Sequence, residues 1–201
     1  MSTQIHRRLC LASLAALAFT RSVAAASRDA TRLVRPGDPV LGNPRGNLTI
    51  VDFYDLRCPP CRAMEPSVQQ LLATDGDIRY VPLDTPILGA ASVLGAEALF
   101  AAQDQGAYGP LRARLLADPR PPSLEVLRED ARALGLDWPR LELTMNDDTI
   151  AHRIAANLAR ARALGIHRVP VLIVGTVFVP GALSYDDLVS VVATARRQGA
   201  M

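Results

Sequence analysis

The chain has 201 residues, 49% of them hydrophobic, with 22 basic residues against 20 acidic ones and only three cysteines. All the basic residues are arginine, and no basic tract interleaved with aromatics is present, which argues against nucleic acid as a partner. The length and apolar content suffice for one domain with a substantial core.

The first 26 residues read as a removable export signal. His6, Arg7 and Arg8 form a basic start, Leu9 to Phe19 is an apolar stretch too short to span a bilayer, and Ala24-Ala25-Ala26 offers a cleavage site. The Arg7-Arg8 pair also admits twin-arginine export, although the pattern around it is loose. Cys10 leaves with this segment. Removing 26 residues from 201 leaves 175, and removing Arg7, Arg8 and Arg21 leaves 19 arginines against 20 acids, a formal charge of −1. The expectation is a periplasmic protein with no membrane span, in a compartment where disulfides persist.

Ser27 to Asn47 is rich in arginine, proline and glycine and reads as an irregular lead-in with at most one short strand. Leu48 to Asp55 is a strand whose nearly unbroken apolar character predicts burial on both faces. A helix follows from Pro59 to Thr74, with Pro66 a kink inside it, and Ile78 to Leu83 is a second strand. From Pro86 to Gly165 the pattern is helical: Ala90 to Gln105, Ala107 to Ala117, a helix capped by Ser123 and stopped by Gly135, one opened by Asp137-Trp138-Pro139, and one closed by Gly165. Val169 to Val174 and Thr176 to Val179 form a hairpin at Gly175, and Ser184 with Asp187 caps a final helix to about Gln198. The order predicts an α/β domain with a helical insertion at about 86–165.

The chemistry concentrates in Cys58-Pro59-Pro60-Cys61, where the first strand hands over to a helix. The thiolate is the reactive form of cysteine, and the positive end of the helix dipole stabilises it. Cys58, at the cap position, is expected to be the nucleophile; Cys61, about one turn further on, can attack a mixed disulfide and release the partner. A static disulfide is the competing reading, but so small a loop gains little stability from being closed. A third reading is a Cu(I) site, since two soft thiolates select that ion. Asp52 interrupts the apolar strand six residues before Cys58, a local break that tends to mark function. It is either a desolvated carboxylate able to accept a proton near neutral pH or a strand-end acid facing water.

Together these features resemble the DsbA-like family of exported thiol:disulfide oxidoreductases. The resemblance is carried by VDFYDLRCPPC at 51–61, Pro66, PILGAAS at 86–92 and RVPVLIVG at 168–175, and covers the chain from Pro39 onward. It implies a thioredoxin-like fold with an inserted all-helical subdomain, a cis-proline at Pro170 packed against the cysteines, and Asp52 as a proton relay for Cys61. It further implies disulfide donation to cysteine-containing exported polypeptides and reoxidation by a DsbB-like membrane oxidase. No cofactor is expected. Disulfide isomerisation or reduction is the alternative within the same chemistry. The backbone of Val169 is expected to pair with an extended substrate by strand addition.

Two departures bear on redox poise. The family's histidine between the cysteines is replaced by Pro59 and Pro60, which lack N–H groups and leave mainly the N–H of Cys61 for the sulfur. Helix-terminus electrostatics alone supply about 0.3–2 kcal/mol, so a milder oxidant than DsbA is expected, with Arg57 and Arg62 able to add to the effect. His167-Arg168 stands before Val169-Pro170, where relatives often have smaller residues; His167 is either turn filler or a modulator of that surface.

Overall fold

The computed structural model describes residues 28–199; the leader expected over residues 1–26, with Cys10, lies outside them. The apolar run Leu48–Tyr54 forms β2, buried at every position. It can be so because it lies in the middle of a five-stranded sheet. The strands are β1 (Leu41–Gly42), β2, β3 (Ile78–Asp84), β4 (Val171–Val174) and β5 (Val177–Pro180), in the spatial order β1-β3-β2-β4-β5. β2 and β3 are parallel, with Asp52 opposite Pro82 and Tyr54 opposite Asp84; the other pairings are antiparallel. Gly175 turns β4 into β5 with φ +59°, a conformation in which glycine avoids the clash a side chain would meet.

The lead-in is less irregular than its composition suggests. It holds a one-turn helix, α1 (Ala30–Leu33), capped by the Asp29 carboxylate on the N–H of Thr31, and β1 is its single strand. After β2 the chain enters α2 (Pro59–Thr74), with Pro66 inside it. Five helices lie between β3 and β4: α3 (Ala90–Gln103), α4 (Tyr108–Ala117), α5 (Leu124–Ala133), α6 (Trp138–Met145) and α7 (Asp148–Ala163). Ser123, Asp137 and Asp147 cap α5, α6 and α7 with their side-chain oxygens. The last helix, α8 (Tyr185–Gly199), follows β5.

Three apolar clusters hold these layers together. Leu99, Phe100, Leu111, Leu115, Leu127 and Leu141 gather α3–α6 into one core, and Leu56, Cys58 and Cys61 belong to that core. Met64, Val68 and Leu71 of α2, with Leu188 and Val192 of α8, cover Ile50, Tyr80 and Leu172. On the opposite sheet face α1 and α7 cover Val51, Phe53, Val81, Leu83 and Ile173. α7 bridges the two regions: Ile150 and Ile154 reach the helical core, and Ala161, further along, packs on the sheet. Gly95 brings α3 against the loop before α2, where an added Cβ would come within 2.5 Å of Leu56 Cδ1.

Candidate active site

The end of β2 positions the first cysteine. The Cys58 N–H donates to the carbonyl of Asp55 at 3.0 Å, and Cys58 becomes the N-cap of α2 with extended backbone (φ −70°, ψ 116°). Pro59 and Pro60 form the exposed first turn, where their missing N–H groups would have had no helical partner. The Cys58 side chain makes no cap bond. Its Sγ instead donates to the carbonyl of Val169 at 3.3 Å. A protonated sulfur is a donor, and the carbonyl across the cleft is the acceptor within reach. The expected bond from the Cys61 N–H belongs to the thiolate, not to this protonated form.

Val169 leads into β4 through a cis peptide bond to Pro170, which is buried and whose carbonyl accepts from Gly181 N at 2.9 Å. Both Cys58 and Cys61 are buried free thiols. Burial, first, and the charge of Asp52 push the Cys61 thiol well above its ordinary range, so Cys61 holds its proton firmly.

Asp52 does not face water: it is 1% exposed. Desolvation raises its pKa to about 6, against the lowering pull of Arg112 and of the Tyr80 hydrogen bond. Tyr80 Oη donates to Asp52 Oδ2 at 2.5 Å, and Arg112 Nη2 of α4 lies 3.7 Å from the same oxygen. Asp52 Oδ1 has no hydrogen-bond partner among the described residues.

Behind Asp52 the site continues as a buried polar cluster. Tyr54 and Tyr108 both donate to Asp84, at 2.6 Å to Oδ1 and Oδ2, and burial lifts the pKa of Asp84 to about 6 as well. Arg112 donates to Glu65 Oε2 of α2 at 2.6 Å and lies 4.4 Å from the Tyr54 ring centre. In front, the Asp55 carboxylate gathers the N–H groups of Arg57, Ile87 and Leu88 and the Ser92 hydroxyl, at 2.7–3.0 Å, pinning the entry to α3 beside the Cys58 turn.

The fold that carries this site is shared with known proteins. A solved thioredoxin-like oxidoreductase from Silicibacter pomeroyi DSS-3 is 34% identical, with a TM-score of 0.78 over 82% of this chain and 95% of that one. The thiol-disulfide exchange protein alpha-DsbA2 from Wolbachia pipientis is 26% identical, with a TM-score of 0.78 over 88% and 97%. The family described as thioredoxin matches residues 35–194. The chain belongs to the thioredoxin family. The two solved structures are described as a thioredoxin-like oxidoreductase and a thiol-disulfide exchange protein. The Na(+)/H(+) antiporter NhaA 3 of Salinispora tropica is 31% identical over 169 residues, 81% of this chain but 26% of the antiporter. The chain thus spans about a quarter of the length of the curated relatives it matches. No helix among the described residues is long and apolar enough to cross a membrane.

Within this thioredoxin fold, Cys58, Cys61, Val169, Pro170 and Asp52 come together from three separate stretches of chain. The two arginines flanking the pair do not join them: Arg57 donates to the Leu88 carbonyl at 3.1 Å, and Arg62 to the Leu56 carbonyl in the loop before α2 and to those of Leu115 and Asp118 at the C-terminal end of α4. His167 and Arg168 are exposed beside Val169, and His152 is exposed on α7. Residues that sequence reasoning passed over are Asp55, Asp84, Glu65, Arg112 and the three tyrosines. One signal could have pointed to Asp84: like Asp52 it is an acid in a largely apolar strand, although it stands at the last residue of β3 rather than within it.

Proposed function

We propose that this protein is an exported, periplasmic enzyme that donates the Cys58–Cys61 disulfide to cysteine-containing exported polypeptides. The observation that carries the reading is the asymmetry of the pair. Cys58 caps α2 and meets the Val169 carbonyl, whereas Cys61 lies one turn inward with a firmly held proton beside buried Asp52. In the oxidised enzyme a substrate thiolate attacks Cys58 Sγ, the Cys58–Cys61 bond breaks, and Cys61 leaves as a thiolate. Asp52, able to carry a proton near pH 6, hands one to that thiolate. A second substrate thiolate then attacks the substrate sulfur of the mixed disulfide and displaces Cys58. The substrate has lost two electrons and the enzyme has gained them; a DsbB-like membrane oxidase would restore the disulfide.

The test is oxidative refolding of a reduced, unfolded substrate by the oxidised protein, with the reduction potential measured alongside. Cys58→Ser is expected to abolish exchange, and Cys61→Ser, offered a disulfide-bonded substrate instead, to accumulate the mixed disulfide at Cys58. The expected potential is more reducing than the DsbA value of about −120 mV, because no histidine stands between the cysteines. Exchange no faster than that of free cysteine would overturn the enzymatic reading. One Cu(I) retained against a competing chelator, without thiol exchange, would favour a metal-binding role for the same pair.

A further inference from the structure

The helices between β3 and β4 share an apolar core with Cys58 and Cys61, and one side chain carries them on to the polar cluster around Asp52. Arg112 projects from α4 to the sheet, is 2% exposed, and meets carboxylates from two other elements: Asp52 Oδ2 of β2 at 3.7 Å and Glu65 Oε2 of α2 at 2.6 Å. Its guanidinium is stacked by Tyr54 at 4.4 Å and Tyr80 at 5.8 Å. Removing one member of such a buried pair leaves the other charge uncompensated, so the cation and the carboxylates it meets depend on one another.

We propose that Arg112 is a positioning residue for proton transfer at Cys61: the helical region supplies, through this one guanidinium, the counter-charge that lets Asp52 ionise inside the sheet. The inference rests on the reading of Asp52 as the proton relay for Cys61. The titratable and charged groups acting on Asp52 are Cys61 and Glu65 from α2, Tyr80 and Asp84 from β3, and Arg112 from α4, with Tyr54 and Tyr108 one step behind on Asp84. Arg112 is the only cation among them, set against three carboxylates. Glu65 competes for it at the shorter distance, and is itself held in place by Gln69 Nε2 at 2.6 Å on its other oxygen. Asp52 therefore receives only part of the guanidinium's charge, and burial, the largest influence on it, leaves its pKa raised to about 6.

Two substitutions should move Asp52 in opposite directions. Arg112→Met removes the cation, and the Asp52 midpoint, followed by carboxyl carbon NMR on the reduced full chain, is expected to move alkaline by ~1 pH unit or more. Arg112→Lys should recover most of that shift. Glu65→Gln keeps the shape, frees Arg112 for Asp52 and removes a like charge, so the midpoint should move acid. In each variant the pH profile of substrate release by Cys61, read in the reducing direction where Cys61 attacks the mixed disulfide at Cys58, should follow, changing about tenfold per pH unit below the midpoint.

A merely structural Arg112 would lower the melting temperature without opposite-signed midpoints. If Arg112→Met does not fold, Arg112→Lys and Glu65→Gln carry the test. An Asp52 midpoint that stays put in the folded variants overturns the proposal and leaves the disulfide-donor reading standing. Midpoints that move while the release profile does not also overturn it, and there the failure is of the relay reading itself.

Discussion

The two faces of β2 and β3 are made of alternating residues of the same strands and are equally buried, yet they are chemically opposed. Val51, Phe53, Val81 and Leu83 pack with α1 and α7 in one apolar cluster. Asp52, Tyr54, Tyr80 and Asp84 point the other way, toward Arg112 and Glu65. Burial therefore does not distinguish core from site here. On the first face each buried side chain contributes about 1.5–3 kcal/mol of transfer free energy. On the second, two carboxylates are held where desolvation outweighs the charge and hydrogen bonds that favour ionisation. A protein tolerates that only where the perturbed groups are useful, and the charged face is the one that meets Cys61.

The strongest way to break this comparison is to empty the dry face. Phe53→Ala should cost about 3–5 kcal/mol. Urea unfolding should find that loss unchanged between pH 4 and pH 8, because no titrating group is involved.

Asp52→Asn should do the reverse in sign and in pH dependence. The Asp52 pKa is raised from 3.8 to about 6, so the native state binds the proton more tightly than the unfolded chain. The resulting penalty is absent below pH 3.8, grows as pH rises toward 6, and is constant above that. Asp52→Asn is therefore expected to stabilise the protein at pH 7–8, by on the order of 2–3 kcal/mol, with the gain vanishing by pH 4. In the reducing direction, the same substitution should slow release of substrate by Cys61 more than the first attack by Cys58. A stability gain that persists at pH 4 would mean that the charge of Asp52 is not what costs the native state.

Local signals made one side of this comparison legible and left the other dark. The continuous apolar runs of β2 and β3, the caps at Ser123, Asp137 and Ser184, and the break at Gly175 are decided by neighbours in the chain, and the elements stand where those signals put them. α1 escaped because a single turn is too short to show a period. The Cys58–Cys61 pair and Pro170 are legible as motifs. Arg112 is not: Arg112-Ala113-Arg114 looks like an ordinary solvated stretch of helix. Residues two apart do not share a helix face, so Arg112 turns inward while Arg114 reaches solvent and pairs with Asp130. The partners of Asp84 lie 24 and 30 residues away, and those of Asp55 up to 37, distances at which no sequence period operates.

The finest test of the comparison uses two adjacent residues of β3. Tyr80→Phe removes one hydroxyl and its 2.5 Å bond to Asp52; Val81→Ala removes two buried methyls from the other face. Losing a hydrogen bond to a charged acceptor costs about 1.5–3 kcal/mol when that acceptor is ionised and less when it is protonated, so the Tyr80→Phe loss should shrink as pH falls below 6. The Tyr80 bond favours the carboxylate less than Arg112 does, so the Asp52 midpoint should move alkaline, but by less than in Arg112→Met. Val81→Ala should lower stability at every pH and leave the midpoint untouched. If Val81→Ala moved the midpoint as far as Tyr80→Phe, packing would be setting the protonation of Asp52, and the two faces would be one coupled core rather than a dry layer and a charged one.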